Sequence, residues 1–473
     1  MYSTIPELFA AAVAESPGSL WLITDDAGWT FGQASQEVER FAAGIAAMGV
    51  VHGDRVIVPA RNEPRYVFVW LALMRLGAIQ VPINPAGSEA ELAGFVQQIR
   101  PRLVLTEAEL DRLERTAAGP APEVDVSPDD LAVFIPTSGT TGRSKLVMQT
   151  HRAYAWAGES FPWWMQLRRD DRLMTSLPLF HLNAPTYSVL GSIAARAGLV
   201  LLSRFSGSDF IDAARRHGAT EFNAIGAMLE ILMRQPERPD DADNPLRLCY
   251  TGPSPTEQRQ REIEQRFGFE IVCGYALSES PFGLIWRHGT RPFGTLGWPR
   301  QHPDLGVVNE ARVVDGELQL RNPTLMRGYF EMPDETASVL IDGWLHTGDL
   351  VERNDDGSFT FLGRRKEVIR RRGENLSPVE VEACLESHQD VAEAAVIGVP
   401  SDLSEEEVKA FVIAAPDRSI DVDGLHRHVC QHLARFKVPR YIEVVGELPH
   451  TPTGRIAKHQ LSRDRNGQEV DCG

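Results

Sequence analysis

The chain has 473 residues, is 43% hydrophobic and 24% charged, and carries a formal net charge of -17. That length exceeds one ordinary domain and can bury a large core, and the composition is that of a globular protein. The acidic balance excludes a general binder of nucleic acid or of anionic membranes, though not a local basic site.

Met1 to Pro6 shows no basic segment leading into an apolar one, so no secretory signal is expected. The N-terminal half then alternates helical patterns, such as Phe31 to Met48, with short apolar runs at Arg55–Pro59, Ala78–Pro82 and Leu103–Leu105. That alternation predicts α/β layers with mainly parallel strands. Leu131–Ile135 reads as a buried strand delivering the loop Thr137-Ser-Gly-Thr-Thr-Gly-Arg-Ser-Lys145 to a sheet edge. Glycines let backbone N–H groups turn toward one guest, hydroxyls add donors, and Lys145 adds a point charge, so the loop suits a polyphosphate. It lacks the G-x-x-x-x-G-K-[ST] spacing of the P-loop.

The most apolar stretch, Leu177 to Leu202, is interrupted by His181, Asn183 and Arg196, which argues against a membrane span. From 294 to 362 short strands and turns predict a β-rich subdomain, with Ala311–Val314, Gly316–Leu320 and Ser358–Phe361 as strands. After Gly363 comes a basic run, Arg364 to Arg372, broken by Val368 and Ile369 as a folded strand would break it. Helix Pro378–Glu386, strands Ala392–Val399 and Lys409–Ala414, helix Val422–Ala434 and a strand near Tyr441–Val445 then make a small α+β domain. The expected boundary lies within 363–366, giving domains 1–363 and 364–473. Five cysteines, Cys249, Cys273, Cys384, Cys430 and Cys472, form no C-x-x-C pair. Neither a zinc site nor a disulfide framework is indicated; reduced thiols and a cytoplasmic location are expected.

Six motifs occur in order: the loop 137–145, Gly274-Tyr-Ala-Leu-Ser-Glu279, Trp344-Leu-His-Thr-Gly-Asp349, Gly363-Arg-Arg-Lys-Glu-Val-Ile-Arg370, Gly373-Glu-Asn375 and Pro449-His-Thr-Pro-Thr-Gly-Arg455. The set resembles the adenylate-forming acyl-CoA synthetase family, and within it the carnitine/crotonobetaine-CoA ligase-like branch. The resemblance implies a large N-terminal domain, a small mobile C-terminal one, and the use of ATP and Mg²⁺ to turn a small carboxylic acid into an acyl-adenylate. Transfer to the thiol of coenzyme A follows. The alternatives are transfer to a carrier-protein thiol or another small nucleophile, and an inactive regulatory homologue. A homodimer is left open.

The roles implied by the resemblance suit the chemistry, since a carboxylate attacking the α-phosphorus brings two anions together. Thr137, Ser138, Gly139, Thr140, Thr141, Gly142 and Lys145 would cover the β- and γ-phosphates. Gly274, Tyr275 and Ser278 would meet the nucleotide, and Glu279 would hold Mg²⁺ as a hard oxygen ligand. Asp349 and Arg364 would contact the ribose. His181, Asn183, Ile225, Gly226, Thr251, Gly252, Pro253, Tyr275 and Ala276 would surround the acyl group, with His181 beside the carboxylate. Lys366 would be the hinge and Gly373 would border the pantetheine arm.

Two positions depart from the family pattern. Arg455 stands where the family has a lysine bridging phosphate and carboxylate, and a planar guanidinium is no simple substitute for an ammonium; Lys458 is the other candidate. Ala276 adds a methyl where glycine usually lines the acyl pocket. The segment Leu182 to Tyr187 offers no carboxylate to pair with an α-amino group, so an amino acid substrate is not expected. A quaternary ammonium remains open, with Tyr187, Trp163 and Trp164 as aromatic partners or as plain core.

Overall fold

A computed structural model describes all residues except 60, 117–118, 138–143, 253, 307, 372–373, 402–405, 452–455, 465–466 and 473. Sequence-expected residues Ser138, Gly139, Thr140, Thr141, Gly142, Pro253, Gly373 and Arg455 therefore lie outside the described residues. The chain packs as two compact units, Met1–Arg312 with Gln319–His346, and Val313–Leu318 with Thr347–Gly473. Residues 294–362, which the sequence suggested as one β-rich piece, contribute to both units.

In the first unit, six parallel strands form the middle of one sheet: Leu20–Ile23, Gly198–Leu201, Arg172–Thr175, Glu221–Asn223, Leu248–Thr251 and Glu270–Leu277, in that spatial order. Antiparallel partners flank it, Gly28–Thr30 on one side and Ser280–Ile285 with Thr295–Pro299 on the other. A second sheet runs Gly328–Tyr329, Lys145–Thr150, Leu131–Thr137, Ile79–Ile83, Arg55–Pro59, Leu103–Val104. The expected strands 55–59, 78–82, 103–105 and 131–135 are all present here, within a residue or two.

Local chemistry sets the helix starts. Thr4 with Glu7, Thr30 with Gln33 and Ser88 with Glu91 each form a reciprocal capping box, satisfying amide donors that the first turn leaves orphaned. The helix Pro64–Arg75 is buried continuously from Tyr66 to Met74. An all-round apolar helix belongs between layers rather than on a surface, and its residues join the main core of this unit.

The second unit holds a four-stranded sheet in the order Val391–Pro400, Glu406–Ala414, Tyr441–Val444, Val470–Asp471. Helices Pro378–Glu386 and Val422–His432 cover its core of Val381, Leu385, Val396, Ala410, Val412, Leu425 and Val429. Two hairpins precede it: Trp344–Arg353 with Phe359–Arg364, and Ile369–Arg371 with Glu374–Leu376. Among the described residues no helix is long and apolar enough to cross a membrane.

His151 opens the helix His151–Met165 fully buried, and among the described residues neither ring nitrogen has a hydrogen-bond partner. Burial outweighs the attraction of Asp130 and lowers its pKa from 6.5 to about 4, so the ring folds in neutral. The unfolded chain then binds the extra proton between those two values, and stability is lost as pH falls from 6.5 toward 4, by about 3 kcal/mol at roughly 1.4 kcal/mol per unit. We expect urea unfolding of the native chain to weaken more steeply between pH 7 and pH 4.5 than that of His151→Phe. Parallel slopes would exclude the effect.

Candidate functional site

In an open α/β sheet, ligands gather beyond the carboxyl ends of the parallel strands, where loops leave the sheet together. Four adjacent strands place the expected acyl-site residues there. His181 and Asn183 follow Arg172–Thr175, Ile225 and Gly226 follow Glu221–Asn223, Gly252 follows Leu248–Thr251, and Tyr275 and Ala276 end the strand Glu270–Leu277. Asn223 Nδ2 donates to Asn183 Oδ1 at 2.6 Å, tying two of these loops directly. Asn62 secures the approach to His181: its amide donates to the Leu177 carbonyl at 2.9 Å and its oxygen accepts from Leu179 N–H at 3.1 Å.

Crowding explains two glycines. A Cβ on Gly252 would lie 2.3 Å from the Gly274 carbonyl oxygen, and one on Gly274 would lie 2.7 Å from the Tyr250 ring and 2.9 Å from Arg300 Nη2. At Gly226, by contrast, a Cβ would meet none of the described residues within 4 Å. Among the described residues, fully buried Asn223 Oδ1 and Thr251 Oγ1 have no hydrogen-bond partner. Orphaned polar atoms in a core are costly unless something else completes them.

The strand Lys145–Thr150 joins this edge to the second sheet. Thr137 pairs with Lys145 across its hairpin, and Thr137 Oγ1 donates to the Lys145 carbonyl at 3.3 Å. Gln149 Nε2 donates to the Ser278 carbonyl at 2.6 Å. Tyr329, paired with Val147, donates its hydroxyl to Glu279 Oε1 at 2.8 Å, and Lys145 Nζ lies 4.5 Å from the centre of the Tyr329 ring. Burial, then the Glu279 charge, raises the Tyr329 pKa, so the phenol stays a donor. Glu279 sits in the turn between Glu270–Leu277 and Ser280–Ile285, not at a helix start. The result is a half-buried carboxylate fixed near a lysine that closes the Ser/Thr/Gly loop.

Behind Gly274, Arg300 is fully buried among the rings of Trp164, Tyr187 and Tyr250, its guanidinium carbon 4.6, 4.9 and 5.4 Å from their centroids. Its donors reach the Leu284 and Pro281 carbonyls and the Tyr250 hydroxyl. Trp164 and Tyr187 are therefore core residues whose faces already hold a cation. Trp163 is 46% exposed, with its ring set edgewise to His288 and His302.

The sequence pattern described as "AMP-binding enzyme" matches residues 9–330, and that of "AMP-binding enzyme C-terminal domain" matches residues 380–455. Crotonobetaine/carnitine–CoA ligase of Salmonella arizonae is 30% identical over 92% of this chain and 93% of its own length. This protein belongs to the AMP-binding enzyme family. The Escherichia coli crotonobetaine/carnitine–CoA ligase gives the same identity and coverage, 30%, 92% and 93%. Among solved structures, ATP-bound MatB from Rhodopseudomonas palustris is 26% identical with a TM-score of 0.87, covering 96% of this chain and 97% of that one. The o-succinylbenzoate CoA synthetase of Bacillus subtilis in complex with the acyl-adenylate OSB-AMP is 25% identical with a TM-score of 0.87, covering 97% and 98%.

In the second unit of this AMP-binding enzyme, Asp349 and Arg364 face each other across a hairpin, with Arg364 Nε 3.1 Å from Asp349 Oδ1. Gly348, at φ 73° within the strand Trp344–Arg353, precedes Asp349, and its N–H donates to Glu317 Oε1 at 2.8 Å. Lys366 is exposed in the single turn Arg365–Glu367 between two hairpins. Gly363 before it adopts φ 136°, and a Cβ there would lie 2.7 Å from Ser377 Oγ.

Lys458 is committed elsewhere than to open solvent. Its Nζ lies 2.6 Å from Glu382 Oε1 and 3.8 Å from Glu367 Oε2, while Glu382 also accepts from the Val396 amide at 2.6 Å. Burial raises the Glu382 pKa, and Lys458 opposes that rise. Removing one partner of such a pair strands the other, at a cost of about 3–5 kcal/mol, whereas replacing both by apolar groups is often close to neutral. We expect Lys458→Ala to lower the unfolding midpoint and Lys458→Met with Glu382→Leu to restore much of it. A Lys458→Ala chain as stable as the native one would show that the pair is not structural.

Proposed function

We propose that the protein is an AMP-forming acid–CoA ligase that activates a small carboxylic acid with ATP and passes the acyl group to the thiol of coenzyme A. The observation that carries this reading is the seam in the first unit. There a loop built for a polyphosphate closes on Lys145, beside a carboxylate, Glu279, that Tyr329 holds in place. The relatives of like sequence are named as CoA ligases, and a like structure holds an acyl-adenylate, which supports both steps.

In the first step an oxygen of the acid's carboxylate bonds to the α-phosphorus, the bond to the β-phosphate oxygen breaks, and pyrophosphate leaves. Lys145 and the 137–142 donors draw charge off the leaving phosphates. Glu279 fits a Mg²⁺ ion, being a hard oxygen donor fixed through one oxygen; with phosphate oxygens it makes the small carboxylate set that Mg²⁺ takes in nucleotide sites. That ion would supply charge neutralisation. Asp349 and Arg364 orient the ribose, and Ser278 meets the α-phosphate. Arg455 neutralises the approach of the two anions, because Lys458 is bound to Glu382. In the second step the thiolate attacks the acyl carbon and AMP departs, with His181 beside the carbonyl and Gly373 beside the pantetheine arm. Lys366 is the hinge between steps, dividing the moving parts at 363/364.

The acid is recognised by polar groups rather than by an aromatic cage, since the Trp164, Tyr187 and Tyr250 faces hold Arg300. Asn223 Oδ1 and Thr251 Oγ1 suit an acid carrying a hydroxyl or amide group.

Acid-dependent release of pyrophosphate, with AMP and thioester followed separately, tests the reading across acids with and without such groups. We expect activity with CoA, and a fall of about a hundredfold or more in adenylation for Arg455→Ala, typical of losing one charge-stabilising donor. No acid-dependent pyrophosphate would reject the ligase. Adenylate without thioester from CoA would move the acceptor to a carrier protein or another nucleophile.

The hinge has its own test. Lys366→Pro fixes one backbone angle in a connecting turn, so we expect adenylation to stay near native and thioester formation to fall at least tenfold. Equal loss of both steps would place the hinge elsewhere.

A further inference from the structure

Sequence spacing gave no reason to look for a transition metal, because no two cysteines share a C-x-x-C motif. The fold brings other ligands together. Cys384 lies on the helix Pro378–Glu386, and His428 and His432 stand one turn apart on the helix Val422–His432. One ligand atom from each of these three residues lies within 4.8 Å of the other two. Residues four apart on a helix share a face, so the two imidazoles meet the thiol across the groove between the helices.

The hydrogen bonds around these rings are those of metal-ligating histidines, in which one ring N–H is held by a backbone carbonyl and the tautomer is thereby fixed. His432 Nδ1 donates to the His428 carbonyl at 2.7 Å, which leaves Nε2 with the lone pair. His428 Nε2 lies 3.2 Å from the Cys384 carbonyl and 2.9 Å from Ser387 Oγ. His388 packs its ring edge-on against His428 with centroids 5.1 Å apart, and the His428 and His432 rings are 4.3 Å apart. Desolvation, then His432, lowers the pKa of His428. Cys384 is buried, and desolvation followed by Glu380 raises its pKa. Without a cation it is a thiol.

We propose that Cys384, His428 and His432 bind one Zn²⁺ ion that staples the helices Pro378–Glu386 and Val422–His432 together. Two imidazole nitrogens and a sulfur are a borderline-soft set that takes Zn²⁺ in preference to Mg²⁺. Binding replaces the thiol S–H by a sulfur–zinc bond and releases that proton to solvent. Three protein ligands leave a fourth position for water, on the open side where His432 is exposed. The site is separate from Glu279 and the phosphate loop in sequence and in ligand chemistry, so it does not depend on the ligase reading.

The test uses the full chain without nucleotide. Titration with Zn²⁺ should show one equivalent bound with proton release, and a higher unfolding temperature. Co²⁺ should give a thiolate-to-metal charge-transfer band. His432→Ala, an exposed change that leaves the core intact, should weaken Zn²⁺ binding by about tenfold or more. Cys384→Ser should abolish the Co²⁺ band, and Cys430→Ser, whose thiol faces His426 instead, should leave it unchanged. Circular dichroism confirms that each variant is folded. No stoichiometric Zn²⁺ binding by the native chain, or native affinity in His432→Ala, overturns the site.

Discussion

Two hydrogen bonds hold the seam on which the proposed phosphate site of the first unit depends: Gln149 to the Ser278 carbonyl, and Tyr329 to Glu279. They join the second sheet to the hairpin turn of the first, so Lys145, at the end of the Ser/Thr/Gly loop, and Glu279 cannot drift independently. Electrostatic stabilisation of a transferring phosphoryl group relies on charges fixed before the reaction begins. A phenol within hydrogen-bond reach of Glu279 and a ring under Lys145 perform that fixing with a single residue.

Arg300 plays a comparable part deeper in the unit. A buried cation is costly unless its donors are satisfied, and here two carbonyls, one hydroxyl and three aromatic faces satisfy it. The same arrangement fills the space behind Gly274, which is why that position has no room for a side chain. In the proposed reading, recognition of the acid then falls to Asn183, Asn223 and Thr251 at the strand ends, a more polar surface than the aromatic residues of the sequence suggest.

The second unit uses charge differently. Lys458 stabilises Glu382, which burial would otherwise drive toward the neutral acid. A cation so held is a structural element, which is why the proposed mechanism gives the adenylation role to Arg455. Nearby, imidazoles and a thiol from two helices form a cluster whose chemistry is distinct from nucleotide binding.

The sequence by itself determined the elements and the family. Apolar runs marked the strands 55–59 and 131–135, a helical pattern marked Phe31 to Met48, and six ordered motifs marked the nucleotide chemistry, because each signal is local and survives without knowledge of packing. Only the tertiary structure brought Gln149 and Tyr329 to the Ser278–Glu279 turn, put Arg300 inside the aromatic cluster, paired Lys458 with Glu382, and set Cys384 beside His428 and His432. Those partners lie tens to more than a hundred residues apart. Their meeting is decided by strand order and by which helix faces pack, and no spacing rule along one chain encodes that.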